Sequence, residues 1–181
     1  MTHKEILDFW FQNEKKWFNG GDDFDQEITK KFIEDFEKAS LGEYDTWQEN
    51  PKSLLALIIL LDQFSRNIFR GDKKAFEYDF KALYFTKLGL KKGFLDKLED
   101  KEKIFFIMSL MHSESLEDQE LCVQLFEELS KENDLFKNNV KFAIEHRDIV
   151  KKFGRFPHRN KVLGRQSTPE EIEFLKVHNG F

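Results

Sequence analysis

The chain has 181 residues, 34 acidic and 29 basic, for a formal net charge of −5; that length suits one domain with a core that needs no staples. Its one cysteine, Cys122, excludes a disulfide framework and any multi-cysteine metal site. The longest apolar run, 54–61, is far short of the ~20 residues that cross a membrane, and the acidic balance argues against general binding to nucleic acid or anionic lipid. The opening MTHKEILDFW carries acidic residues and lacks the apolar stretch of a secretory signal, so a cytoplasmic setting is expected.

Phenylalanine is overused, at 21 residues, while glycine (9) and proline (3) are scarce. Few punctuating residues predict long regular elements with short connections. About eight helices are predicted. The first covers residues 2–13, with Thr2 and Glu5 as a capping box. The second covers 23–40, with Phe24, Ile28, Phe32 and Phe36 as its buried stripe. The third opens at Asn50-Pro51, a cap followed by proline at the first helical position. Its run 54–61 is apolar on every side and predicts a central helix. A fourth follows Gly71 and ends before Gly93, and a fifth contains the apolar stretch 104–108. The sixth opens at Ser115 with Asp118 three residues on. The seventh covers 135–153 and stops at Gly154. The eighth opens at Thr168-Pro169-Glu170-Glu171, with a cap, an N1 proline and a capping-box glutamate together. Short connections between these helices predict a single all-α domain, 1–181, of stacked antiparallel hairpins. The segment 154–167 is the exception, longer and rich in charge. Trp10 and Trp17 are candidates to line a groove.

The distribution of arginine is the most informative feature. Of the 29 cations 23 are lysines, scattered along the chain, and all six arginines fall in two windows: Arg66 and Arg70, then Arg147, Arg155, Arg159 and Arg165. Where any surface cation suffices this chain uses lysine, so arginine marks places that need a planar, permanently charged fork. Between Arg147 and Arg165 seven cations less Asp148 give +6, leaving −11 on the rest of the chain. A basic loop on an acidic body suits a small anion better than a long polyanion. On the seventh helix the spacing places His146 and Arg147 inward, with Phe142 in the stripe of His146, and Asp148 outward. A buried guanidinium must be paired, and Asp62, Glu114 or Asp118, or the charge of a ligand, is the expected partner of Arg147. Asp62 and Arg66 stand i,i+4 in the favourable order.

Two local patterns are misleading. His146-Arg147-Asp148 matches the kinase catalytic loop in letters alone, since it lies inside a helix with no glycine-rich loop or nucleotide-binding lysine strand. His112-x-Glu114 is half of a zinc deaminase signature without the paired cysteines. No metal and no cofactor are expected.

Several stretches resemble the signature of a bacterial family of uncharacterised proteins, domain of unknown function 924. They are Leu61-Asp62-Gln63-Phe64-Ser65-Arg66-Asn67-Ile68-Phe69-Arg70-Gly71, Met111-His112-Ser113-Glu114, and His146-Arg147-Asp148-Ile149-Val150 through Phe153-Gly154-Arg155-Phe156-Pro157-His158-Arg159-Asn160. The resemblance implies a tetratricopeptide-like all-α fold and supplies no reaction. Read from the residues, the expected site binds a small anionic, phosphate- or carboxylate-bearing ligand. Its expected ligand-binding residues are Arg66, Asn67, Arg70, His112, Glu114, Arg147, Arg155, Arg159 and Asn160, with His158 and His146 as candidate acid–base groups. The alternative is a tetratricopeptide-like module that holds an acidic peptide while its arginines serve structure alone. Neither nucleic acid nor membrane is an expected partner.

Overall fold

The computed structural model describes residues 1–178 and 180. Among them the fold is all-α with no strand, and no helix is long and apolar enough to cross a membrane. The chain divides into two compact units, Met1–Ser109 and Leu110–Phe181.

The first unit opens with α1 (His3–Gln12), where Thr2 and Glu5 make the expected capping box. After one 3-10 turn, α2 (Gly21–Leu41) buries Phe24, Ile28, Phe32 and Phe36 and stops at Gly42, whose φ of +89° is the left-handed cap that glycine adopts without a Cβ clash. The last carbonyls of α2 also receive Lys81: Nζ donates to Ala39 at 2.9 Å and Ser40 at 3.4 Å. Trp10 is fully buried beside Phe24, Phe64 and Phe105, so it belongs to the core and not to a groove. Trp17 stacks on it and donates its indole N–H to the Trp10 carbonyl at 2.7 Å.

The third helix, α3, is central, as its all-round apolar run predicts. It begins at Asn50, whose side chain caps Lys52 N–H, and continues as Pro51–Ile59 with every residue of 54–61 fully buried. Then it departs from the expectation of one regular helix. Leu60–Phe64 form a π turn before Ser65–Ile68 resume the α path. All five residues of that turn are buried, including Asp62 and Gln63. Gln63 Nε2 donates to Asp62 Oδ2 at 2.5 Å and to Met108 Sδ at 3.3 Å, and Ser65 Oγ donates to the Asp62 carbonyl at 3.1 Å. π turns recur at functional positions.

The helix α4 (Asp79–Lys91) packs closely on α3 and on α5 (Asp100–Met111), the helix on which the division between the units falls. Gly89 permits this approach: a Cβ there would stand 2.4 Å from Phe106 Cζ and 2.8 Å from Leu54 Cδ2. Beside it Thr86 Oγ1 donates to the Phe106 carbonyl at 3.0 Å and accepts from Ser109 Oγ at 2.6 Å.

The second unit is built on a hairpin of α6 (Leu116–Glu132) and α7 (Lys137–Phe153), followed by a long segment and α8 (Pro169–Leu175). Cys122, Val123, Phe126, Leu129, Phe136 and Ala143 form its buried seam. Asn133 caps the turn between the helices by accepting from Leu135 N–H at 2.9 Å. Gly154, at φ +73°, stops α7. Ser115 is the N-cap of α6, but its side chain makes no cap bond; Ser113 Oγ instead donates to Asp118 Oδ2 at 2.7 Å. Thr168 and Glu171 close the predicted capping box of α8.

Candidate functional site

In the first unit the nominated residues Arg66, Asn67 and Arg70 sit at the end of α3, and carboxylates meet all three. Arg66 lays its fork on Asp79, with both N–H···O distances 2.7 Å, donates to the Ala75 carbonyl, and covers the Phe76 ring at 4.5 Å. Its forked partner is therefore Asp79, and the charge of Asp62, the expected i,i+4 partner, also acts on Arg66. Asn67 Nδ2 donates to Asp25 Oδ1 at 2.7 Å, and Arg70 grips both oxygens of the same carboxylate. Burial would push the Asp25 carboxyl up, but Arg70 and Asn67 outweigh it and hold it below its ordinary value. These contacts fasten α3 to α2 and α4.

In the second unit the segment after Gly154 folds through a 3-10 turn, Pro157–Arg159, and is held by two forked ion pairs. Arg165 clasps Glu114 at 2.7 and 2.8 Å, and the same carboxylate accepts from Phe156 N–H at 2.8 Å. Arg155 clasps Glu171 at 2.9 and 3.2 Å and donates to the Gln166 carbonyl at 2.8 Å. Asn160 joins the pairs: its Nδ2 donates to Glu171 at 2.6 Å and its Oδ1 accepts from Arg165 Nε at 2.9 Å. Burial pushes Glu114 upward, yet Arg165, the Phe156 amide and the charge of Arg159 together hold it below the usual carboxylate range. Glu171 is lowered first by the Arg155 bonds, then by Asn160 and the Thr168 amide, against burial. Charge-assisted forks of this kind fix geometry as well as energy.

Beside this clasp lies a histidine group. His146, on the buried face of α7, has its Nδ1 2.7 Å from the Phe142 carbonyl, so Nδ1 carries the proton and donates. Its ring meets Phe156 edge-on at 5.6 Å; His158 packs on the same ring at 5.5 Å, and the Arg159 guanidinium covers it at 4.6 Å. Arg159 is 8% exposed. Burial, opposed by the bond to the Phe142 carbonyl and reinforced by the neighbouring His112, Arg159 and His158, drops the His146 pKa to about 3. His158 falls to about 4, again first through burial, then through Arg159, His178 and Arg165, with Glu114 opposing. Both imidazoles are therefore neutral at pH 7.

Two expectations for α7 are corrected. Arg147 does not enter the interior: its side chain is 24% exposed and pairs with Asp148 at 2.8 Å and Glu120 at 3.7 Å. It leaves the helix at the margin of the face bearing Ala143 and Val150, and its long stem lets the charge reach water. Phe142 is 52% exposed, outside the buried stripe of Ala143, His146, Ile149 and Val150. His146 does point inward and Asp148 outward.

The second unit thus brings together Glu114, Arg155 and Asn160 in one network and His146, His158 and Arg159 around one phenylalanine, with His112 in the electrostatic neighbourhood of His146. Arg165 and Glu171 escaped the sequence reading of the site. Arg165 lay in the same arginine window; Glu171 was legible only as a capping-box residue, and its second function depends on a loop that brings Arg155 back onto it. Among the described residues no group of three or more His, Cys, Asp or Glu side chains is placed to hold a metal ion.

A family model described as "Bacterial protein of unknown function (DUF924)" matches residues 6–179. The chain belongs to that family. It is similar to a solved protein of unknown function, ATU0120 from Agrobacterium tumefaciens, at 36% identity over 96% of each chain with a TM-score of 0.89. No curated protein matches it.

Proposed function

We propose that the protein binds a small anionic ligand, bearing a phosphate or carboxylate, at the group formed by His146, His158 and Arg159. The observation that supports this is the gathering of two neutral imidazoles and one largely buried guanidinium around the single ring of Phe156. A guanidinium supplies paired donors for an oxyanion, and a neutral imidazole can accept or donate a proton. His158 stands nearer to working pH than His146 and is the better candidate for proton transfer. In this reading Arg155 and Arg165 hold the loop that carries His158, and the setting is the cytoplasm.

One part of the alternative, a tetratricopeptide-like peptide-binding module with purely structural arginines, also has support. Arg66, Arg70, Arg155 and Arg165 each lay two N–H groups on a carboxylate of their own unit. In this reading those four serve structure.

A thermal-shift screen at fixed ionic strength, with sulfate, phosphate, citrate, sugar phosphates and nucleotides, tests the proposal. A ligand at one hundred times its dissociation constant stabilises the native state by about 2.7 kcal/mol. A compound-specific rise in Tm is expected, lost in His158→Gln and kept in Arg147→Ala. A wild type that no anion shifts, or a shift undiminished in His158→Gln, refutes the site and directs the search to protein partners.

A further inference from the structure

Resting on the site just proposed, we infer that the anion is taken up together with a proton, which settles on His158. Around the Phe156 ring two imidazoles and a guanidinium are packed with centroid distances of 5.6, 5.5 and 4.6 Å. Among the described residues the groups acting on His158 come from its own turn, the segment after it, the stretch following α8 and the α5–α6 connection, and His146 of α7 shares the Phe156 ring with it. Arg159 is its own neighbour in the 3-10 turn, Arg165 lies in the following segment, and His178 follows α8; all three disfavour a positive charge on the ring. Glu114, between α5 and α6, favours one but is already clasped by Arg165 and the Phe156 amide. The Gly180 backbone also lies against the ring, where a Cβ on that residue would stand 3.2 Å from His158 Cγ.

In the absence of a ligand, positive neighbours and burial both keep the proton away. A bound anion reverses the first of these, because an opposite charge within a few ångströms favours the protonated imidazole. Coupling between two binding events is reciprocal, so a proton on His158 must strengthen anion binding by the factor with which the anion strengthens proton binding. His146 is a poorer recipient: it is more deeply buried, and His112, Arg159 and His158 all act against a charge on it.

The test follows the imidazole signals of the full chain by NMR from pH 7.5 to 4.5. Sulfate is the probe, since its charge is constant over that range, and chloride at equal ionic strength is the control. In chloride the His158 midpoint is expected to lie below this range; with sulfate it is expected to rise by one unit or more and enter it, and sulfate affinity to increase as pH falls, up to tenfold per pH unit between the two midpoints. Without sulfate His158→Gln should keep its Tm at pH 7.5, and its sulfate response, lost at pH 7.5, should not return toward pH 4.5, where the wild type binds most tightly. Sulfate binding with an unmoved His158 midpoint overturns proton uptake and leaves the anion site standing. If sulfate, phosphate and citrate all fail to bind by thermal shift and leave the imidazole signals unmoved, both fall.

Discussion

At the scale of single residues, the second unit turns on Glu114. Its two oxygens receive the Arg165 fork and the Phe156 amide, so its removal leaves three donors to be satisfied by water in a half-buried place. Unmade hydrogen bonds at such sites cost about 1–3 kcal/mol. Glu114→Ala should lower stability by that amount in urea unfolding, while Arg147→Ala, whose partners are exposed, should change it by less than about 0.5 kcal/mol. Equal effects from the two would contradict the assignment. The arginine windows themselves were readable, because a chain that spends lysine freely places arginine with purpose. The partners were not readable, since Asp79, Asp25 and Glu171 differ in no visible way from the other acidic residues until the fold brings them close. Arg147 shows the limit from another side. Helical spacing placed its Cα correctly, but a long, flexible stem sets where the charge ends.

At the scale of elements, the helices were legible wherever a physical signal stood in the sequence. The capping boxes at Thr2 and Thr168, the Asn50-Pro51 start and the Gly154 stop each coincide with an observed end. The π turn had no such signal, for Leu60–Phe64 follow an apolar run that reads equally well as α. Nor did Gly89, which as a sequence feature is a weak point in a helix. On propensity alone Gly89→Ala should stabilise α4 by about 1 kcal/mol. The close approach of Phe106 and Leu54 argues the reverse, because overpacking a core costs about 1–3 kcal/mol. The clash involves buried side chains on two other helices, so the second effect should win. Thermal unfolding of Gly89→Ala is expected to show a lower Tm; a raised Tm would mean that α4 moves away at little cost.

At the scale of the whole molecule, the two histidines make stability depend on pH. Both have native pKa values below the ordinary 6.5, about 3 for His146 and about 4 for His158, so the unfolded chain binds protons first. Their contribution is complete above pH 6.5 and is lost as pH falls toward 4. Each unit of depression corresponds to at most about 1.4 kcal/mol, less for the more exposed His158. The loss over this window should reach a few kcal/mol. Asp25, Glu114 and Glu171, held below their usual values, add a second loss only below about pH 4.5, near the ordinary carboxylate range. Urea midpoints between pH 7.5 and 4.5 should therefore decline in wild type and decline less in His158→Gln. A flat profile down to pH 5 would show that neither ring is held neutral by the fold.

The π turn of α3 has a consequence for changes in chain length. An i→i+5 turn closes over one more residue than an α turn, so the stretch 60–64 carries one residue beyond what a straight helix requires. Removing one residue there lets the backbone relax into an ordinary α-helix while Leu54 and its neighbours on one side, and Arg66 and Asn67 on the other, keep their angular phase and their partners Asp79 and Asp25. The same deletion within 54–58 would rotate everything downstream by about 100° and pull those partners apart. The centre of the helix, its most buried part, is thus where a one-residue deletion leaves the flanks in phase, and any shorter relative should lack its residue within these five positions.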